Sequence, residues 1–208
     1  MDSADGAFYN NGQSCCSVER IYVHEKVYNA FVTAFVQEVR SYKTGSPVTE
    51  NVYIGPLTRK EQPGILAAQV QDAIAKGATL LCGGNIIPGA GNYFEPTVLA
   101  DVTHEMDLMK EESFGPVIGI MKVQDDTEAL TLMNDTQFGL TASVFCTDAD
   151  RAAHLHSQLN AGTVYWNCCD RVSAALPWSG RKHSGFGSTL SYAGLRVFTQ
   201  PKAYHLRG

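Results

Sequence analysis

Long apolar runs, a surplus of positive charge and a cysteine framework are all missing from this sequence, and each absence removes a class of protein. No stretch approaches the roughly 20 apolar residues that a membrane-spanning helix needs. The formal net charge is -5 and no basic stripe occurs, which argues against a nucleic-acid partner. The opening MDSADGAF has neither the basic nor the apolar region of a secretory signal. Six cysteines in 208 residues do not make a disulfide scaffold. The adjacent pairs, Cys15 with Cys16 and Cys168 with Cys169, could bridge internally only through strained vicinal bonds. The cytoplasm is the expected compartment. Internal repeats, low-complexity tracts and flexible linkers are absent as well.

What is present suits a globular protein: 44% hydrophobic and 18% charged residues, in a length that fills one large domain or two small ones. VERIYV reads as a short strand with Val18, Ile21 and Val23 apolar. KVYNAFVTAFVQEVRSY follows at helical spacing, with Val27, Ala30, Phe31, Ala34 and Phe35 as its stripe and Gly45 and Pro47 past its end. TRKEQPGILAAQVQDAIAKG is helical again, with a break expected near Pro63 and Gly64, and ATLLCGG is a strand running into a glycine turn.

EPTVLADV and GPVIGIMKV are β-branched strand segments, and DTEALTLMND is a helix with an aspartate N-cap and a stripe of Ala129, Leu130 and Met133. LTASVFC, DADRAAHLHSQLN and GTVYWN then predict strand, helix and strand. This alternation predicts a single α/β domain, a mostly parallel sheet flanked by helices. From CCDRVSA onward the chain becomes Gly-, Ser- and Pro-rich loop with one last short helix or turn. His154 and His156 are two apart on a predicted helix, off a common face, so no metal site is expected there.

The candidate for chemistry is FYNNGQSCC, Phe8 to Cys16. A thiol attacks as thiolate, so its site must lower the pKa or supply a base. A cysteine just past a turn can receive backbone N–H groups that also stabilise an oxyanion, and Gly12 permits a close backbone approach. Free cysteines are more often buried and inert, and the dipeptide alone does not separate the two cases. Glu112, in KEES, reads on its own terms as a solvated charge, although a carboxylate is also a sound acceptor for ribose hydroxyls. Phe114 reads as a core aromatic on its own terms, Asn167 as a cap at a strand end, and Trp178 as packing in a Pro/Gly loop.

Taken in order, FYNNGQSC, KEESFGPV, YFEPTVL, NDTQFGLTASVF, AGTVYWN and PWSGRKHSGFG resemble segments of the aldehyde dehydrogenase superfamily, over essentially the whole chain. The resemblance implies the catalytic domain of that fold, with Cys15 rather than Cys16 as nucleophile. It implies that Glu112 and Phe114 hold the ribose and ring of a nicotinamide cofactor, NAD or NADP. It also implies that Trp178 and Asn167 belong to the substrate pocket. The implied reaction is oxidation of an aldehyde to a carboxylic acid through a cysteine thioester.

In relatives the water-activating Glu of an E-L-G-G-K segment and the nucleotide-binding domain lie upstream of the thiol, and only fourteen residues precede Cys15 here. Neither E-L-G-G-K nor a Gly-rich strand-turn-helix fingerprint occurs. The resemblance therefore covers residues 1–208 as a catalytic domain without the N-terminal nucleotide-binding domain. Local departures are Ser188 and Thr189 where relatives often carry Arg-Glu, and Ser179 where Gly is usual. Two readings of activity stay open. The chain is a catalytic fragment working with a complementing nucleotide-binding half or in a homo-oligomer, or it is an incompetent remnant or interaction module with at most thiol-esterase activity.

Overall fold

Strand β6 (Val117–Val123) is buried along nearly its whole length, and that single property sets the architecture. A strand that is apolar on both faces must be covered on both. In the computed structural model, which describes residues 2–169 and 171–208, the preceding elements supply the covers. They run α1 (Asp2–Phe8), β1 (Arg20–His24), α2 (Glu25–Ser41), α3 (Gln62–Ala75), β2 (Thr79–Cys82), β3 (Ile86–Ile87), β4 (Tyr93–Phe94) and β5 (Thr97–Ala100). After β6 come α4 (Asp126–Asn134), β7 (Thr141–Val144), α5 (Ala149–Gln158), β8 (Thr163–Trp166) and α6 (Ser191–Arg196).

The main sheet has the order β1-β6-β5-β2. Strand β6 is parallel to both β1 and β5, and β2 closes the edge antiparallel to β5. Two-residue alternation then sends neighbouring side chains to opposite faces. Val98, Ile118 and Ile120 pack on one face with Tyr28, Phe35 and Val39 of α2 and with Ala4 and Phe8 of α1. Leu99 and Val117 pack on the other face with Leu66, Val70 and Ala73 of α3 and with Met106, Leu108 and Met109. The sheet is thus mostly parallel and helix-flanked, as expected from the alternation of elements.

Several local expectations shift. The buried line of α2 is Tyr28, Phe35 and Val39, while Val27 is 55% exposed and Ala30 and Ala34 also face out. Tyr28 claims the inner face because its hydroxyl donates to the Ile120 carbonyl at 3.5 Å while its ring fills the core. Helix α2 stops at Ser41, before Gly45. Pro63 does not break a helix but sits in the first turn of α3, where its missing N–H costs nothing. The cap of α4 is Asp125, whose carboxylate accepts the Glu128 N–H at 2.9 Å. The last strands do not extend the main sheet: β7 and β8 form their own parallel pair, and β3 and β4 a short antiparallel one.

Phe8 is the residue that ties the thiol segment to this core. Its ring, fully buried at the end of α1, meets Phe35 at 6.3 Å and Tyr42 at 5.8 Å between centroids. It pins the segment that leads into the cysteines onto the sheet. Phe8→Ala is expected to destabilise the fold by about 3–5 kcal/mol in denaturant titration, the usual cost of a large aromatic deletion. A loss under about 1 kcal/mol would remove Phe8 as the anchor.

Candidate active site

Past Phe8 the chain makes a turn that few sequences tolerate. Asn10, Asn11 and Gly12 are all left-handed, with φ of 49°, 60° and 70°. Asparagine and glycine are the residues that adopt this conformation at low cost, which explains NNG. Asn11 is buried and uses its whole amide: Nδ2 donates to the carbonyls of Gly55 at 2.8 Å and Pro56 at 3.2 Å, and Oδ1 accepts the Gly55 N–H at 2.9 Å. Gln13 Oε1 accepts the Thr58 N–H at 2.9 Å, and its own N–H returns to the Asn10 carbonyl at 3.0 Å. The motif is a clamp on the segment 55–58.

The next turn carries the thiols. The Ser17 N–H closes it on the Ser14 carbonyl at 3.0 Å, and the Ser17 hydroxyl donates to the carbonyls of Gly6 at 3.1 Å and Ala7 at 3.3 Å. Cys15 is exposed, whereas Cys16 is buried with its Sγ 3.2 Å from the Ser14 hydroxyl. The structure therefore presents Cys15 to solvent and packs Cys16.

A second loop meets this one. A Cβ on Gly12 would lie 2.3 Å from the carbonyl oxygen of Gly115, so the two backbones touch. That places the loop of Glu112 and Phe114 against the turn of residues 10–12 that leads into the thiols. Glu112 is exposed, and Phe114 is 37% exposed with a left-handed φ of 47°. Between them Ser113 is buried, its carbonyl accepting from Gln62 Nε2 at 2.6 Å. Glu19, four residues after Cys15, accepts the Ser113 N–H at 3.0 Å and the Phe114 N–H at 3.2 Å. Burial pushes its carboxyl up to about 7 and repulsion from Glu112 adds, against the pull of the two N–H groups and Arg20. Sequence reasoning passed over Glu19. The available signal was an acidic residue at the mouth of a strand whose other members are apolar or basic.

Asn167 and Trp178 are placed differently. Asn167, at φ 54°, spends its amide on the neighbouring backbone: Oδ1 accepts the Cys146 N–H and Nδ2 donates to the Cys146 carbonyl, each at 2.9 Å. Trp178 pairs with Thr189 through two backbone hydrogen bonds of 2.8 and 2.9 Å. Among the described residues no hydrogen bond joins either of them to the thiol turn or to the Glu112 loop. The segment after β8 does reach α1, where the Cys169 thiol donates to the Asp2 carbonyl at 3.1 Å and fills the space beside Gly6. No group of His, Cys, Asp and Glu among the described residues is arranged to hold a metal. His156 Nε2 is taken by the Tyr165 carbonyl at 2.9 Å.

Known proteins resemble this chain over nearly its whole length. The profile described as aldehyde dehydrogenase family matches residues 1–204. The succinate semialdehyde dehydrogenase [NAD(P)+] Sad of Escherichia coli (strain K12) is 41% identical over 193 residues, 93% of this chain and 42% of that protein. The crystal structure of lactaldehyde dehydrogenase from Escherichia coli superposes with a TM-score of 0.95 at 30% identity, covering 100% of this chain and 44% of that one. Betaine aldehyde dehydrogenase from Staphylococcus aureus, in complex with NAD+, gives a TM-score of 0.90 at 31% identity over 95% of this chain and 40% of that one. The chain thus spans about two fifths of the length of the relatives it matches.

The contact between the two loops is open to a direct test. Gly12→Ala introduces a Cβ against the Gly115 carbonyl at a left-handed φ, and is expected to cost at least about 2 kcal/mol. The change is read by thermal or denaturant unfolding. Wild-type stability in Gly12→Ala would mean that the two backbones are not in contact.

Proposed function

Because this chain belongs to the aldehyde dehydrogenase family, we propose that it is the thiol-bearing catalytic portion of an NAD(P)-dependent enzyme that oxidises an aldehyde to a carboxylic acid. The observation that carries this reading is an exposed Cys15 three residues past Gly12, whose backbone touches Gly115 at the end of the loop of Glu112 and Phe114.

Cys15 is the nucleophile: its thiolate forms a bond to the carbonyl carbon, and the carbonyl π pair moves onto oxygen as an alkoxide. Backbone N–H at the turn is the donor on hand for that oxyanion. NAD or NADP, when bound, supplies the hydride acceptor that turns the thiohemiacetal into a thioester. Water then attacks the thioester carbon, the C–S bond breaks, and the carboxylic acid leaves with Cys15 restored.

The residues present fit the nicotinamide end of such a cofactor and no more of it. Glu112 offers an exposed carboxylate for ribose hydroxyls, and Phe114 an accessible ring beside it. Trp178 and Asn167 are assigned to the substrate side. These 208 residues hold neither a water-activating E-L-G-G-K segment nor a nucleotide fingerprint, so both functions have to come from outside them. That same lack favours a second reading, in which these 208 residues on their own keep the fold without turnover.

The test pairs two assays on the purified chain: aldehyde-dependent NAD(P)H formation, and cleavage of an activated aryl ester. Ester cleavage should fall at least about a hundredfold in Cys15→Ser, and an unchanged rate would sink the nucleophile assignment. NAD(P)H formation should need an added nucleotide-binding half. Robust turnover by the chain alone would overturn the second reading.

A further inference from the structure

Glu19 is a carboxyl beside this site that the proposed reaction leaves without a task. It stands immediately before β1, four residues from the thiol, and reaches across to the second loop rather than to solvent. Both N–H groups it takes belong to consecutive residues, and the second is Phe114. Phe114 holds a left-handed backbone that a non-glycine aromatic does not adopt unaided. The opposite side of the loop is held by Gln62 on the Ser113 carbonyl, and the next residue, Gly115, touches Gly12. Arg20, beside Glu19, turns to the Met109 carbonyl at 3.0 Å and braces the stem of the same loop.

We propose that Glu19 is a positioning residue: its carboxyl group holds the Phe114 backbone in its strained form and so keeps the Glu112–Phe114 edge in register with the Cys15 turn. This rests on the nicotinamide-side role proposed for Glu112 and Phe114. Deleting the carboxyl leaves two N–H groups without their acceptor and lets Phe114 relax toward ordinary φ, which re-aims its ring.

The charged groups that face Glu19 are Glu112 from the loop and Arg20 from β1. The carboxyl titrates near 7 with the loop closed and near its ordinary value with the loop open to water, so opening releases a proton. Opening therefore becomes more favourable as pH rises from about 4.5 to about 7, and levels off above that. Glu19→Gln, an isostere of the neutral acid, removes this dependence while keeping one acceptor.

Amide hydrogen exchange on the full chain tests the proposal. Corrected for intrinsic rates, the Ser113 and Phe114 amides should exchange at least about tenfold faster in Glu19→Ala, with the amides of β6 unchanged. In wild type their protection should fall by roughly tenfold or more across about pH 5 to 7, and Glu19→Gln should stay protected with a flat profile. Wild-type protection in Glu19→Ala, or a wild-type pH slope in Glu19→Gln, overturns the proposal. Should the alanine variant unfold, the glutamine profile decides alone. A fluorescence titration with NADH, run with the nucleotide-binding half added, separates the clamp from the cofactor role. Roughly tenfold weaker binding in Glu19→Ala supports both, whereas exchange effects without NADH binding by wild type keep the clamp and remove the cofactor role.

Discussion

The site depends on one steric constraint, the contact of two glycine backbones. Gly12 can lie against the Gly115 carbonyl only because it carries no Cβ, and because glycine accepts the left-handed turn that brings it there. Every element of the thiol segment serves that approach. Phe8 fixes the end of α1 in the core, Asn11 and Gln13 lash the turn to residues 55–58, and Ser17 folds the following turn back on α1. The second loop is held from its own side by Gln62 and Glu19.

The sheet makes this meeting possible across a long separation in sequence. Parallel pairing of β1 with β6, Arg20 opposite Gly119, sets the two strand starts side by side. The loops that precede those strands therefore lie at the same end of the sheet. Cys15 is in the loop entering β1, and Glu112 and Phe114 are in the loop entering β6. Core burial on both faces of β6 holds that register, since a one-residue slip would turn Val117 and Ile118 to the wrong faces.

Much of this is legible in the chain itself, and the exceptions have physical causes. Strands β5 and β6 stand out because fully buried strands need unbroken apolar runs. The inner stripe of α2 is misjudged because tyrosine carries a polar tip, and Tyr28 nevertheless buries its ring and satisfies the hydroxyl on a strand carbonyl. The separate β7–β8 pair is not legible, because edge partners are chosen by packing rather than by the strands' own residues. Asn167 shows the same limit: its side chain grips Cys146, far back in the chain, and nothing in AGTVYWN announces that partner.

By itself the sequence determined the helix-flanked, mostly parallel sheet and the family, and singled out the residues proposed for chemistry: Cys15, Glu112 and Phe114, with Trp178 and Asn167 beyond them. Those follow from local composition and ordered motifs, which survive without knowledge of contacts. Only the tertiary structure decided which of two adjacent thiols faces solvent, that the thiol and Glu112 loops share one end of the sheet, and that Glu19 joins them. Exposure, proximity and a carboxyl's titration are set by what the rest of the chain packs around a group. No single segment carries that information.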